Sequence, residues 1–101
     1  MPAKVYYFDI YGKAEPIRMM LTHAKVEFED VRFNGEQFKE AKESGKFEFG
    51  QVPAFETEDG KVLSQSAAIL RYVARTNGYY PEDPMDQWFA DSTLDALEDL
   101  A

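Results

Sequence analysis

The 101-residue chain contains no cysteine. This absence excludes disulfide bonds, thiolate-ligated metal sites, a cysteine nucleophile and Cys-x-x-Cys redox chemistry. If the protein takes part in sulfur chemistry, the sulfur must therefore arrive on a ligand.

Long apolar runs and an excess of positive charge are also missing. No stretch approaches the roughly 20 apolar residues that span a bilayer, and the N-terminus lacks a signal-type apolar segment. With 11 Lys and Arg against 19 Asp and Glu, the net charge is −8, which disfavours nucleic-acid and anionic-membrane partners because phosphate contacts need clustered basic residues. We therefore expect a cytoplasmic protein, in which an acidic ligand needs a local positive site.

The residues that are present suffice for one folded domain, since 45 % are hydrophobic and 15 % are aromatic. Strands are predicted from alternating and β-branched or aromatic patterns, and helices from i, i+3, i+4 apolar spacing. The predicted strands are 5–8, 28–33, 54–57 and 61–63, and the predicted helices are 15–25, 36–43, 65–76 and 85–101. Asp59-Gly60 between two short strands predicts a hairpin, and Ser64 is the predicted N-cap of the third helix.

This order predicts an α/β fold in which a parallel βαβ unit and an antiparallel ββα unit share a four-stranded mixed sheet. That is the thioredoxin-like arrangement, in which a cis proline starts the third strand, and Pro53 stands at that point. Residues 1–78 form the predicted domain, 79–84 a linker, and 85–101 the first helix of a truncated all-helical domain. Alternatively, this last helix packs on the first domain or on a partner chain.

Two short segments predict a ligand pocket. A cis bond between Val52 and Pro53 would turn the backbone N–H and C=O of Val52 outward at a sheet edge, where an extended peptide can pair with them. At the start of the third helix, the Ser66 hydroxyl and the N–H groups would hold a carboxylate. Ser66 as an ordinary first-turn residue is the alternative. Together the segments favour a small, acidic, peptide-like ligand.

Several motifs, in order and spacing over essentially the whole chain, carry a family resemblance. The matching segments are Tyr7-Phe8, Gly12 to Glu15, Ile17-Arg18, Phe49 to Pro53, Gln65-Ser66 with 68–72, and Glu98 to Leu100. The chain resembles the N-terminal domain of cytosolic glutathione transferases of the tyrosine type (pi, sigma, alpha and mu). The family's C-terminal helical domain supplies most of the pocket for the second substrate, and only its first helix has a counterpart here.

The resemblance implies glutathione as co-substrate and a catalytic role for Tyr7. The Tyr7 hydroxyl would donate a hydrogen bond to the glutathione sulfur and favour the thiolate, which attacks a hydrophobic electrophile. Val52 would pair with the cysteinyl part of glutathione, with Pro53 as the cis proline. Gln65 and Ser66 would hold the γ-glutamyl end.

The remaining contacts are also carried over from the family. Gln51, Lys13 and Phe38 would line the rest of the site, although many relatives have Arg in place of Lys13 and Trp in place of Phe38. Asp99 would reach the γ-glutamyl amine bound by the neighbouring subunit, which implies a homodimer. The family's lysine at the glycyl carboxylate has no counterpart at the same spacing, because Ser44 stands there, so Lys42 or Lys46 must substitute.

Two other functions stay open at this point. One is a glutathione-dependent isomerase or peroxidase that resembles prostaglandin synthases, and the other is a non-catalytic relative, either crystallin-like or an inactive truncated domain. No metal is expected to be required. Asp95, Glu98 and Asp99 share one helix face, as in a metal-binding sigma enzyme, but carboxylates on a helix usually form a solvated face. Phe49 is either an aromatic key for a partner subunit or a buried loop anchor.

Overall fold

The four strands form one mixed sheet. The computed structural model of the chain describes residues 2–10, 12–47 and 50–100, with side chains up to residue 96. The strands are β1 (Ala3–Phe8), β2 (Phe28–Phe33), β3 (Ala54–Glu56) and β4 (Val62–Ser64). They lie in the order β2-β1-β3-β4, with β1 parallel to β2 and antiparallel to β3, and β3 antiparallel to β4. The predicted thioredoxin-like sheet is confirmed.

Helices cover both faces of this sheet. The four α-helices are α1 (Glu15–His23), α2 (Gly35–Glu43), α3 (Ser66–Thr76) and α4 (Pro84–Leu100), and a 3₁₀ helix spans Gly12–Ala14. Successive residues of a strand point to opposite faces, so β1 contributes to two cores. Tyr7 packs on the side of α1 and α3, whereas Tyr6 packs on the opposite side, where α2 contributes Phe38 and Ala41.

The start of α2 is set by a capping box. The backbone N–H of Gln37 donates to the Asn34 side-chain oxygen at 2.8 Å, and the backbone N–H of Asn34 donates to the Gln37 side-chain oxygen at 2.9 Å. These two bonds satisfy N–H groups that the first helical turn cannot pair internally. The helix therefore begins at Gly35, one residue before the predicted start.

The predicted N-cap of α3 is wrong. Ser64 is the last residue of β4, and the N-cap position belongs to Gln65, whose φ of 72° and ψ of 112° turn the chain from strand into helix. No hydrogen bond from the Gln65 side chain caps the helix. The strand thus extends one residue further than its sequence pattern indicated, and a backbone turn takes the place of a serine cap.

Helix α4 is joined to α3 by charged and hydroxyl groups. The Arg71 guanidinium donates to Asp91 at 2.9 Å and to Asp95 at 2.6 Å, and the Tyr80 hydroxyl also donates to Asp91 at 2.9 Å. Its first residue, Pro84, belongs to the segment predicted as a linker. In the part of the chain that the structure describes, no helix is long and apolar enough to cross a bilayer.

Candidate functional site

Tyr7 lies one residue before the end of β1, and its side chain is buried, with 9 % of the residue exposed. The phenolic oxygen accepts a hydrogen bond from the backbone N–H of Lys13 at 3.4 Å. The Arg18 guanidinium lies 5.7 Å from the centre of the Tyr7 ring. Tyr7 therefore has its oxygen at the turn between β1 and α1, and its ring in the core.

A small hollow lies beside this turn. Its volume is about 100 Å³. Six of the residues that the sequence nominated line it: Lys13, Gln51, Val52, Pro53, Gln65 and Ser66. The Val52-Pro53 peptide bond is cis, as predicted. The hollow therefore brings together residues from the β1–α1 turn, the segment before β3 and the start of α3.

The start of α3 gives one wall of the hollow. Ser66 is the first residue of the helix and is buried, with 8 % of the residue exposed. The first N–H groups of an α-helix have no partner within the helix, and the helix dipole makes this end positive, so anions bind there. Gln65 has a positive φ although it is not glycine, a backbone state that costs about 1–3 kcal/mol and is common at ligand-binding sites.

Phe38 and Lys42 do not line the hollow. The Phe38 ring packs against Phe8 and Phe33, with centroid distances of 5.1 and 6.3 Å. The Lys42 side chain crosses Gly50, because its Cε lies 3.1 Å from the position that a Cβ on Gly50 would occupy. The Lys42 side chain thus packs against the segment that leads to Gln51.

Lys46 is engaged elsewhere, in a cluster with Tyr6 and Glu56. Its ammonium lies 3.2 Å from the Glu56 carboxylate and 4.7 Å from the centre of the Tyr6 ring. The Tyr6 hydroxyl donates to the same carboxylate at 2.6 Å. The hydrogen bond from Tyr6, followed by that from Lys46, lowers the pKa of Glu56, although burial opposes this change.

The lowered pKa of Glu56 predicts a pH-dependent contribution to stability. A carboxyl group whose pKa is lower in the folded state stabilises the protein above its unfolded pKa, and this stabilisation is lost as pH falls below about 4.3. Glu56→Gln should therefore be less stable than the original chain at pH 7, with a smaller difference at pH 3. Urea unfolding at both pH values measures this difference. Glu27→Gln, at an exposed position, is the control, and a pH-independent difference for Glu56→Gln would contradict the prediction.

Two predictions concern α4, the contact of Asp99 with a neighbouring subunit and the shared helix face of Asp95, Glu98 and Asp99. The side chains of Glu98 and Asp99 are not among those that the structure describes. Phe49, predicted as an aromatic key or a loop anchor, also lies outside the described residues. Asp95 accepts a hydrogen bond from Arg71 at 2.6 Å. Among the described side chains, no three His, Cys, Asp or Glu residues come together as metal ligands.

Gly12 and Arg18 contact Tyr7 or its turn, and the sequence assigned neither of them a role. A Cβ on Gly12 would lie 2.6 Å from the Tyr7 hydroxyl oxygen. Arg18 is buried, with 5 % of the residue exposed, and donates to backbone oxygens of Phe8 and Ile10. A glycine in the break between the first strand and the first helix was the available signal for Gly12, and an arginine on the apolar side of α1 was the signal for Arg18.

Comparison with known proteins gives matches along nearly the whole chain. The sequence pattern of the family described as "Glutathione S-transferase, N-terminal domain" matches residues 3–75. A glutathione S-transferase P of Caenorhabditis elegans is 41 % identical over 100 residues, covering 99 % of this chain and 47 % of that protein. A hematopoietic prostaglandin D synthase of Gallus gallus is 36 % identical over 97 residues, covering 96 % of this chain and 47 % of that protein.

Solved structures agree with the sequence matches. The crystal structure of a monomeric glutathione S-transferase from the hookworm Necator americanus superposes with a TM-score of 0.88 at 37 % identity. The superposition covers 98 % of this chain and 47 % of the hookworm chain. The chain thus spans about half the length of the relatives it matches.

Proposed function

Because this chain belongs to the glutathione S-transferase family and matches its N-terminal domain, we propose that it binds glutathione and activates the glutathione thiol as a thiolate. The observation that carries the proposal is the convergence of six nominated residues on one hollow beside the Tyr7 turn. Lys13 supplies the local positive charge that an acidic tripeptide needs near a chain of net charge −8. Tyr7 is the proposed catalytic residue, with no metal required.

The proposed pose follows the hollow from end to end. The γ-glutamyl carboxylate lies at the start of α3, against Gln65 and Ser66, where the helix dipole favours an anion. The cysteinyl backbone pairs with Val52, and Gln51 and Lys13 line the space beside it. This places the thiol toward Tyr7.

The glycyl carboxylate is assigned to Lys42 in preference to Lys46. The Lys46 ammonium is already held by Glu56 and the Tyr6 ring, and removing it would leave the half-buried Glu56 carboxylate without this cation. Lys42, by contrast, crosses Gly50 toward the segment that precedes Val52. Phe38 supports this region through its packing on Phe8 and Phe33.

Calorimetric titration of this chain with glutathione tests the proposal directly. Ser66→Ala should weaken binding by about 1–3 kcal/mol, because a carboxylate buried at the helix start loses a hydrogen-bond donor. This corresponds to an increase in Kd of roughly fivefold to 150-fold. The matched control is Ser92→Ala on α4, which should bind like the original chain.

The same titration separates the proposal from a structural role. Equal affinity of the Ser66→Ala variant would remove Ser66 from the site. No heat of binding for the original chain would favour a non-catalytic, crystallin-like relative or an inactive domain over a glutathione-binding domain.

For the whole protein, we propose conjugation of glutathione to a hydrophobic electrophile in the cytoplasm. Residues 1–78 are the proposed glutathione-binding domain, 79–84 the linker, and 85–101 the start of a helical domain that forms the electrophile pocket. The exposure of Met85, Trp88 and Phe89, at 70, 62 and 67 %, supports a further packing partner for α4. The greater length of the relatives supports it as well.

Prostaglandin isomerisation with glutathione is the second candidate function, because a relative named as a prostaglandin D synthase is 36 % identical. We also propose a homodimer in which Asp99 reaches the glutathione bound by the neighbouring subunit, although the hookworm relative is monomeric. The solution mass of the chain with and without glutathione tests this assembly. A monomer at saturating glutathione would remove the role of Asp99.

A further inference from the structure

The backbone at Gly12 lies directly against the phenol of Tyr7. A Cβ added to Gly12 would lie 2.6 Å from the Tyr7 hydroxyl oxygen and 2.9 and 3.1 Å from two ring carbons. Non-bonded heavy atoms do not come this close without one of them moving, and the Tyr7 ring is buried on its other sides. The absence of a side chain at Gly12 therefore sets where the hydroxyl lies.

The next residue orients the hydroxyl hydrogen. The Lys13 backbone N–H donates to the Tyr7 oxygen at 3.4 Å. A phenol has one hydrogen to donate and also accepts hydrogen bonds. Because an N–H donor repels the phenolic hydrogen, that hydrogen is favoured to point away from the Lys13 backbone. The hydroxyl can then donate to a sulfur atom in the site.

Arg18 holds the β1–α1 turn, from which Gly12 and Lys13 contact the Tyr7 phenol. Its guanidinium donates to the backbone oxygen of Ile10 at 2.8 Å and to that of Phe8 at 3.3 Å. It is fixed in turn by Asp30, whose carboxylate accepts from Arg18 Nε at 3.0 Å. These bonds tie the residues on either side of Asp9 to α1 and β2, and the guanidinium also faces the Tyr7 ring at 5.7 Å.

We propose that Arg18 is a positioning residue for the Tyr7 phenol, acting through the β1–α1 turn that it holds, with Gly12 as the surface on which the phenol rests. Arg18 has no contact with the hollow and is not a catalytic residue. This inference rests on the proposed function, since the Tyr7 hydroxyl is useful only if it meets a thiol. Its consequence is that the thiolate fraction of bound glutathione depends on Arg18, whereas glutathione affinity does not.

The test is an ultraviolet titration of the thiolate of glutathione bound to the 101-residue chain. Arg18→Lys keeps the positive charge but loses the planar fork that reaches two carbonyls and a carboxylate together. We expect the thiol pKa of bound glutathione to rise by about 0.5–1, which from a starting value of about 6.5 leaves roughly 1.5-fold to threefold less thiolate at pH 7. The Kd for glutathione should change by less than about threefold.

Arg71→Lys is the matched control, because Arg71 also donates to two carboxylates, those of Asp91 and Asp95, but these lie on α4 and not in the β1–α1 turn. Its thiol titration should equal that of the original chain. If Arg18→Lys does not fold, Gly12→Ala carries the test, because the added methyl meets the phenol and, at a φ of 42°, alanine also strains the turn that Arg18 holds. We expect at least as large a loss of thiolate in that variant.

An unchanged thiol pKa in folded, glutathione-binding Arg18→Lys would overturn the inference, as would an unchanged pKa in Gly12→Ala where Arg18→Lys does not fold. These results would leave the proposed function intact. If glutathione bound to the original chain titrates like free glutathione, thiol activation fails, and the inference fails with it. The two failures are therefore distinguished by the titration of the original chain.

Discussion

Tyr7→Phe is expected to abolish most of the thiolate on bound glutathione while leaving its affinity nearly unchanged. A free thiol with a pKa of about 8.5 is only about 3 % ionised at pH 7. Lowering that pKa by roughly two units requires about 2.7 kcal/mol of preferential stabilisation of the thiolate. One hydrogen bond to a charged acceptor supplies about 1.5–3 kcal/mol, so the Tyr7 hydroxyl alone can account for most of this stabilisation.

The substitution removes one oxygen and keeps the ring in the core, so the fold should be retained. Thiolate absorbance of the glutathione complex as a function of pH measures the effect, and calorimetry measures the affinity. The control is Tyr72→Phe on α3, a position that is 40 % exposed and does not line the hollow. A Tyr7→Phe complex whose thiol titrates like that of the original chain would remove Tyr7 from the catalytic role.

Ile69→Ala is expected to destabilise the fold by about 2–5 kcal/mol. Ile69 is fully buried, with 0 % exposure, in the core between β1, α1 and α3. Its truncation loses the burial of three carbon atoms and leaves a cavity, because the surrounding side chains relax only in part. Since small domains have a free energy of unfolding of about 5–15 kcal/mol, this loss is a large fraction of the total.

Urea unfolding followed by circular dichroism measures this loss as a lower midpoint with an unchanged slope. Ile10→Ala makes the same chemical change at a side chain that is 57 % exposed, and it should change the free energy of unfolding by less than about 0.5 kcal/mol. Equal effects of the two substitutions would show that the core around Ile69 does not stabilise the fold.

The prediction from sequence was closest where a local pattern decides the structure. β2 has both predicted ends, because apolar and charged residues alternate from Phe28 to Phe33 and Asn34-Gly35 follows. It was wrong at the start of α3, where serine chemistry favoured Ser64 as the cap. There, pairing of Ser64 with Ala54 extends β4, and the backbone of Gln65 makes the turn instead.

In the candidate site, too, some features follow from the sequence pattern and others only from tertiary contacts. Residue types nominated Val52 and Ser66, the family resemblance added Lys13, and the fold brings these three, which lie far apart in sequence, to one hollow. Lys42 and Lys46 could not be told apart from sequence, because the partners of Lys46, Tyr6 and Glu56, come from two different strands. Neighbours that come from distant parts of the chain have no local signal.

By itself, the sequence determined the absence of thiol chemistry in the chain, the order of strands and helices, and the family resemblance, because composition, periodicity and motif spacing are properties of the chain before it folds. Only the tertiary structure decided which lysine is held in an ion pair, how the backbone turns into α3, and which groups surround the Tyr7 phenol. Each of these depends on distances of a few ångströms between segments that β-sheet pairing and core packing bring together. The contact between Gly12 and Tyr7 is the clearest case, because a glycine has no side chain whose type could have predicted a packing partner.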